Sequence, residues 1–137
     1  MKKYFIAAVI LLVGNYASAQ KLKDSDVPGV VKTAFDKQYP GTKAKWEKED
    51  GNFEAGFKKD GKVVSVVYSG TGALLETEVA IKESELPSAS MEYIKSNYKG
   101  KKIKETAKIT KADGTVNYEA EIGGKDVVFD SNGKFIK

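Results

Sequence analysis

NFEAGFKKDGK (residues 52–62) and NYEAEIGGK (residues 117–125) are two versions of one phrase. In both, apolar residues alternate with polar ones: Phe53, Ala55 and Phe57 in the first, Tyr118, Ala120 and Ile122 in the second. That period of two predicts a strand with one apolar face. Each phrase runs into a two-residue turn signal, Asp60-Gly61 or Gly123-Gly124, which predicts a tight antiparallel hairpin. The question is what a chain of 137 residues gains by writing the phrase twice.

The flanking sequence repeats as well. Ser25-Asp26-Val27-Pro28 lies 59 residues before Ser84-Glu85-Leu86-Pro87. At the same offset Phe35 falls on Ile94, Tyr39 on Tyr98 and Gly41 on Gly100. Val27, Val31, Phe35 and Tyr39 mark one face of an amphipathic helix, and Leu86, Ile94 and Tyr98 mark a second, less apolar one in which Ser90 stands for Val31. Pro28 and Pro87 suit the first helical position, where a missing N–H costs nothing. Pro40-Gly41 and Gly100 stop the helices, the second without a proline.

After each helix the period changes from 3.6 to two. Four strands are expected in each copy, joined by Asp50-Gly51, Asp60-Gly61 and Gly70-Thr71-Gly72 in the first and by Asp113-Gly114, Gly123-Gly124 and Asn132-Gly133 in the second. In the second copy Ile103, Ala107 and Ile109 are expected on the helix side and Lys104, Thr106 and Lys108 on the other, with Glu105 out of phase. The fold class expected is α+β: a tandem α-β-β-β-β repeat, residues 25–81 and 84–137, with two helices on one face of a continuous antiparallel sheet. Each copy has roughly 55 residues, a size that buries only about 60% of its unfolded surface, so a single domain with a shared core is expected.

The ends and the composition bound the function. Lys2 and Lys3, an apolar run over residues 4–13 and Ala17-Ser18-Ala19 read as a cleavable export signal over residues 1–19, giving a mature domain at 20–137. The apolar run is too short to span a bilayer, so no stable membrane insertion is expected after cleavage. Location in the periplasm or secretion follows. The formal net charge is +4, and half of it belongs to Lys2 and Lys3. Every basic residue is lysine, so the bidentate fork that reads guanine or phosphate is absent and no nucleic-acid partner is expected. The chain has no His and no Cys, which removes the commonest general base, the commonest metal ligand and all thiol chemistry. No catalytic residue, metal or cofactor is assigned, and the expectation is a non-enzyme.

The pattern resembles the PepSY-like family of exported bacterial proteins, whose fold is compared with that of the beta-lactamase inhibitor protein. Val27-Pro28, Leu86-Pro87, Tyr39-Pro40-Gly41, Trp46, Phe53-Glu54-Ala55, Tyr118-Glu119-Ala120-Glu121-Ile122 and Phe129-Asp130-Ser131-Asn132-Gly133 carry the resemblance. It implies the fold above and an envelope location, and it transfers no catalytic residue. By the same resemblance, relatives with PepSY domains are associated with restraining peptidases, and the inhibitor meets its enzyme through its sheet.

Alternation then nominates a candidate partner-binding face turned away from the helices: Glu54, Glu76, Glu78, Glu119 and Glu121, with Lys45, Lys58, Lys104 and Lys108. The competing reading is a solvated face whose cross-strand Glu–Lys pairs contribute roughly 0.2–1 kcal/mol each. Val63 and Val67 are the apolar residues of a central strand that reach this side. The partner expected is an envelope protein such as a peptidase or another hydrolase. The alternative is a small-molecule or ion-binding protein using the helix–sheet interface, although Trp46, Phe53, Phe57, Tyr118 and Phe129 read there as core. Asp130-Ser131-Asn132-Gly133 lacks the later carboxylates of a calcium loop and reads as a hairpin turn.

Overall fold

A computed structural model describes residues 19–137. The export signal expected over 1–19 lies outside the described residues, apart from Ala19. Two α-helices and eight strands are described, and the strand pairs run antiparallel, an α+β fold. The chain divides into two units, up to Glu76 and Thr77–Lys137. That division falls inside a strand, Leu74–Ala80, a few residues before the 81–84 boundary expected from the sequence.

In the first unit a short strand, β1 (Gln20–Leu22), leads through a 3-10 turn at Asp24–Asp26 into helix α1 (Gly29–Gln38). Strands β2 (Lys45–Glu49), β3 (Asn52–Lys59) and β4 (Lys62–Tyr68) follow, each pairing with the one before, and β5 (Leu74–Ala80) begins after a turn at residues 69–73. Strand β1 was not expected; three residues with one apolar side chain carry too little pattern to read. It pairs with β2, setting Leu22 opposite Trp46.

Pro28 sits one residue before α1 rather than inside it, and its carbonyl accepts the first helical bonds, from the Val31 and Lys32 N–H groups. The helix turns Val31 and Phe35 inward. Phe35 meets Trp46 and Phe57 edge-on at ring-centroid distances of 5.3 and 5.4 Å, and Tyr39 closes on Phe57 at 4.7 Å. The first core is therefore a packed group of aromatic rings, a geometry that adds about 0.5–1.5 kcal/mol per pair beyond area burial. Tyr68 is buried with its hydroxyl donating to the Gln38 side chain at 2.8 Å. Burial, with Tyr39 adding to it, pushes that hydroxyl up to about 12, so it stays a donor.

The second unit repeats the order: a 3-10 turn at Glu83–Glu85, helix α2 (Ser88–Asn97), then β6 (Ile103–Lys111), β7 (Val116–Ile122) and β8 (Lys125–Asp130). Its core is more aliphatic: Leu86, Ile94, Ala120, Ile122 and Val127 pack with Phe129. The helix stops at Tyr98 just as α1 stops at Tyr39, with the Tyr N–H bonded to the carbonyl four residues back at 2.8 Å in both. The proline missing after Tyr98 makes no difference, because Gly100 takes the left-handed turn (φ 73°) that Gly41 takes (φ 72°). The fourth strand expected at 135–136 is reduced to a bridge between Phe135 and Phe129, with Ile136 and Lys137 bonded to Val128.

In each unit a hairpin turn lies against the helix. A Cβ on Gly72 would stand 2.9 Å from the Val30 carbonyl oxygen, and one on Gly133 would stand 2.7 Å from Pro87 and 2.9 Å from Ser90 Oγ. Both glycines have positive φ, 82° and 85°, so sterics and backbone conformation both demand glycine. The second turn presses closer, and this explains Ser90: it is fully buried, and its hydroxyl donates to the Gly133 carbonyl at 3.3 Å where a valine would crowd the turn.

Candidate functional site

The candidate face is the side of each unit's strands turned away from its helix, called the outer face below. In the first unit, register fixes it. Glu54 stands opposite Glu47 on β2 and Val67 on β4, and Lys58 stands opposite Val63. Lys45, Glu47, Glu54, Lys58, Val63, Ser65 and Val67 thus share that face, with Glu76 on β5 assigned to it by alternation. Orientation follows the sequence reading, but exposure does not. Lys45 and Lys58 are exposed, whereas Glu54 is only 7% exposed and Val67 is buried. The Ser65 hydroxyl donates to Glu54 Oε1 at 2.6 Å, a short charge-assisted bond to a buried carboxylate. Glu76 is half-buried.

The second unit departs from the expected pattern. Ile103 pairs with Ile122, but the next pair is Glu105 with Glu121, so the register shifts between Ile103 and Glu105. This β-bulge reverses the phase of the strand. Downstream, Thr106 stands opposite Ala120 and Lys108 opposite Tyr118, on the α2 side, while Ala107 stands opposite Glu119 and Ile109 opposite Asn117, on the outer face. Lys108 is therefore not on the candidate face, and Ala107 and Ile109 are. The out-of-phase Glu105 is the sequence signal of the bulge: on an unbroken strand it would point at the core. Thr106, now inside, satisfies its hydroxyl by donating to the Ile81 carbonyl at 2.7 Å.

Glu119 lies between Ala107 and Val128 across the strands and is buried, as is Glu78 on β5. Glu121 stands between Glu105 and Asp126, a row of three carboxylates across β6, β7 and β8. Lys104, the extra residue at the bulge, reaches Glu121 Oε1 at 3.1 Å, and that hydrogen bond raises the lysine's pKa. Desolvation and the neighbouring Glu121 charge push both Glu105 and Asp126 above the usual carboxylate range.

The eight nominated residues therefore divide. Lys58 and Lys104 are exposed on outer faces, Glu76 and Glu121 are half-buried, Glu54, Glu78 and Glu119 are buried, and Lys108 is exposed on the α2 side. The residues missed from sequence are Ala107, Ile109 and Val128, which register places on the second unit's outer side and which are all buried. Between helix and strands each unit buries its core side chains, Phe35, Trp46 and Phe57 in the first and Ile94, Ile122 and Phe129 in the second. Among the described residues no group of three or more Asp or Glu side chains is arranged to hold a metal ion, and no helix is long and apolar enough to cross a membrane.

The model of a family described as "Putative beta-lactamase-inhibitor-like, PepSY-like" matches residues 15–76 and, overlapping them, 54–137. The chain belongs to this family. Solved structures agree with the assignment of PepSY-like fold. A "BLIP-like protein" from Bacteroides fragilis is 20% identical and superposes over 80% of this chain and 83% of its own, with a TM-score of 0.63. A "DUF2874 family protein" from Bacteroides uniformis is 18% identical over 80% and 86%, with a TM-score of 0.71. A protein from Bacteroides eggerthii described as "putative periplasmic" is 15% identical over 81% and 86%, with a TM-score of 0.72. At these identities the likeness is one of fold. No curated protein matches the chain.

Proposed function

We propose that this PepSY-like protein is a non-enzymatic binding module of the bacterial envelope that engages a protein or peptide partner through the outer faces of its strands. The observation that carries the proposal is the make-up of those faces. Glu54 beside Val67, and Glu119 between Ala107 and Val128, are buried together with those neighbours, so what each face offers a partner is its exposed, charged part. Exposed lysines, Lys45 and Lys58 in one unit and Lys104 in the other, stand around these apolar and acidic positions. Charged groups on such a face steer encounter and select a partner of complementary charge. The family's inhibitor-like description favours the same reading, as does the absence of His and Cys. The envelope location rests on the export signal read at residues 1–19 and on a structural neighbour described as periplasmic.

The proposal is tested by affinity capture from envelope extract, with Lys58→Glu/Lys104→Glu as the comparison. Both side chains are exposed, and circular dichroism checks that the variant folds, because Lys104→Glu also removes the ion pair with Glu121. A protein recovered by the wild type and lost by the variant supports the reading. Identical recovery by both contradicts it.

A further inference from the structure

We propose that the groove at the C-terminal end of α2 binds a short acidic peptide segment carrying an apolar side chain between its carboxylates. The groove has a volume of about 650 Å³, inside the range of roughly 300–1,000 Å³ typical of ligand sites. Lys95, Lys99, Lys101 and Lys102 line it, against one acid, Glu83. Its apolar lining is Met91, Ile94 and Ile103.

The first unit supplies an internal control. Subtracting the 59-residue offset from Glu83, Met91, Ile94, Lys95, Lys101 and Lys102 gives Asp24, Lys32, Phe35, Asp36, Thr42 and Lys43, and these line a groove of about 350 Å³ in the same place on α1. There the charges balance: two Asp against two Lys, with Lys32 Nζ 2.9 Å from Asp24 Oδ2. In the second unit Asp36 is matched by Lys95, Thr42 by Lys101 and Pro40 by Lys99, while Lys32, the partner of the acid, is matched by Met91. One backbone design thus carries a neutral, ion-paired groove once and a larger, cationic one the second time.

The fold does not require this charge. A cation or two near a helix C-terminus offsets the dipole, and α1 makes do with Lys37 in its last turn. Four ammonium groups around one concavity repel each other, and among the described residues no ion pair joins any of their side chains. An anion is the chemistry that relieves the repulsion. Lysines act as separate point charges rather than planar forks, so four of them suit several spaced carboxylates better than one phosphate. The apolar lining suits a side chain between those carboxylates. Because the groove includes α2, it lies on the opposite side of the unit from Ala107 and Glu119 and stands apart from the outer face.

The test is fluorescence anisotropy at low salt with the full chain and a labelled Glu-Leu-Asp-Leu-Glu peptide, beside its Gln/Asn counterpart. The wild type is expected to bind the acidic peptide and not the neutral one. Lys95→Asp/Lys101→Thr, which writes the first unit's residues into the second, is expected to weaken binding about tenfold or more. Lys37→Asp/Lys43→Thr makes the same change in net charge on α1 and is expected to leave binding intact. Circular dichroism and Trp46 fluorescence verify folding in each variant. Equal affinity for acidic and neutral peptides, equal loss in both variants, or retention on phosphatidylglycerol vesicles without peptide binding would each overturn the proposal.

Discussion

The two units follow one order of elements and fill it differently. The first packs Phe35, Trp46, Phe57 and Tyr39 ring against ring. In the second, Ile94 takes the place of Phe35, and the aromatic contacts move outward: Tyr93 stacks on Phe135 at 4.6 Å and meets Phe129 edge-on at 5.7 Å. The first keeps its strands in phase, whereas the second inserts a bulge that sends Ala107 and Ile109 to the outer face. Helix starts, helix stops and turns set the frame and recur. Core volume, groove charge and strand phase vary within it.

The largest expected effect tests the aromatic core. Trp46→Ala should cost about 3–5 kcal/mol in denaturant melts, because it removes a buried ring that touches Phe35. A loss below about 0.5 kcal/mol would mark the indole as peripheral and erase the contrast between the cores. Next comes the turn on α2. Ser90→Val restores the first unit's residue and should destabilise by about 1–3 kcal/mol, since the added methyl groups meet the turn at Gly133. A neutral result would mean that the second turn sits no closer to its helix than the first does.

The smallest effect concerns the carboxylate row. Glu105 and Asp126 have folded pKa values above their ordinary 4.5 and 3.8. The folded state therefore holds protons that the unfolded chain has lost, and stability rises as pH falls through the raised values, levelling off below the ordinary ones. Glu105→Gln should flatten that rise. At neutral pH it should change stability by no more than about 0.5 kcal/mol, upward, because it relieves repulsion from Glu121 at a partly exposed site. An unchanged pH profile would remove Glu105 from the account.

Most of the fold was legible because turn chemistry and periodicity agree. Asp50-Gly51 and Asp60-Gly61 have positive φ at both residues, as a two-residue hairpin requires. The face occupied by each strand of the first unit followed from alternation. Exposure did not, because alternation gives direction and not what surrounds a side chain: Glu54 and Glu119 point outward and are still buried. Lys108 was misplaced for a different reason. A bulge adds one residue without changing composition, and only Glu105 out of phase betrayed it. The α2 groove was missed because its lysines come from both the helix and the following loop, and each looks ordinary alone.

Which strand face meets a partner is measured most directly at the bulge. Lys104 and Lys108 are exposed lysines on one strand, and simple alternation would point both the same way. The bulge sends Lys104 toward Glu121 and sets Lys108 opposite Tyr118 on the α2 side. A photo-cross-linking residue placed at each position in living cells should yield a discrete protein adduct from position 104 and none from position 108. Adducts from 108 alone, or equally from both, would contradict the outer face as the docking surface.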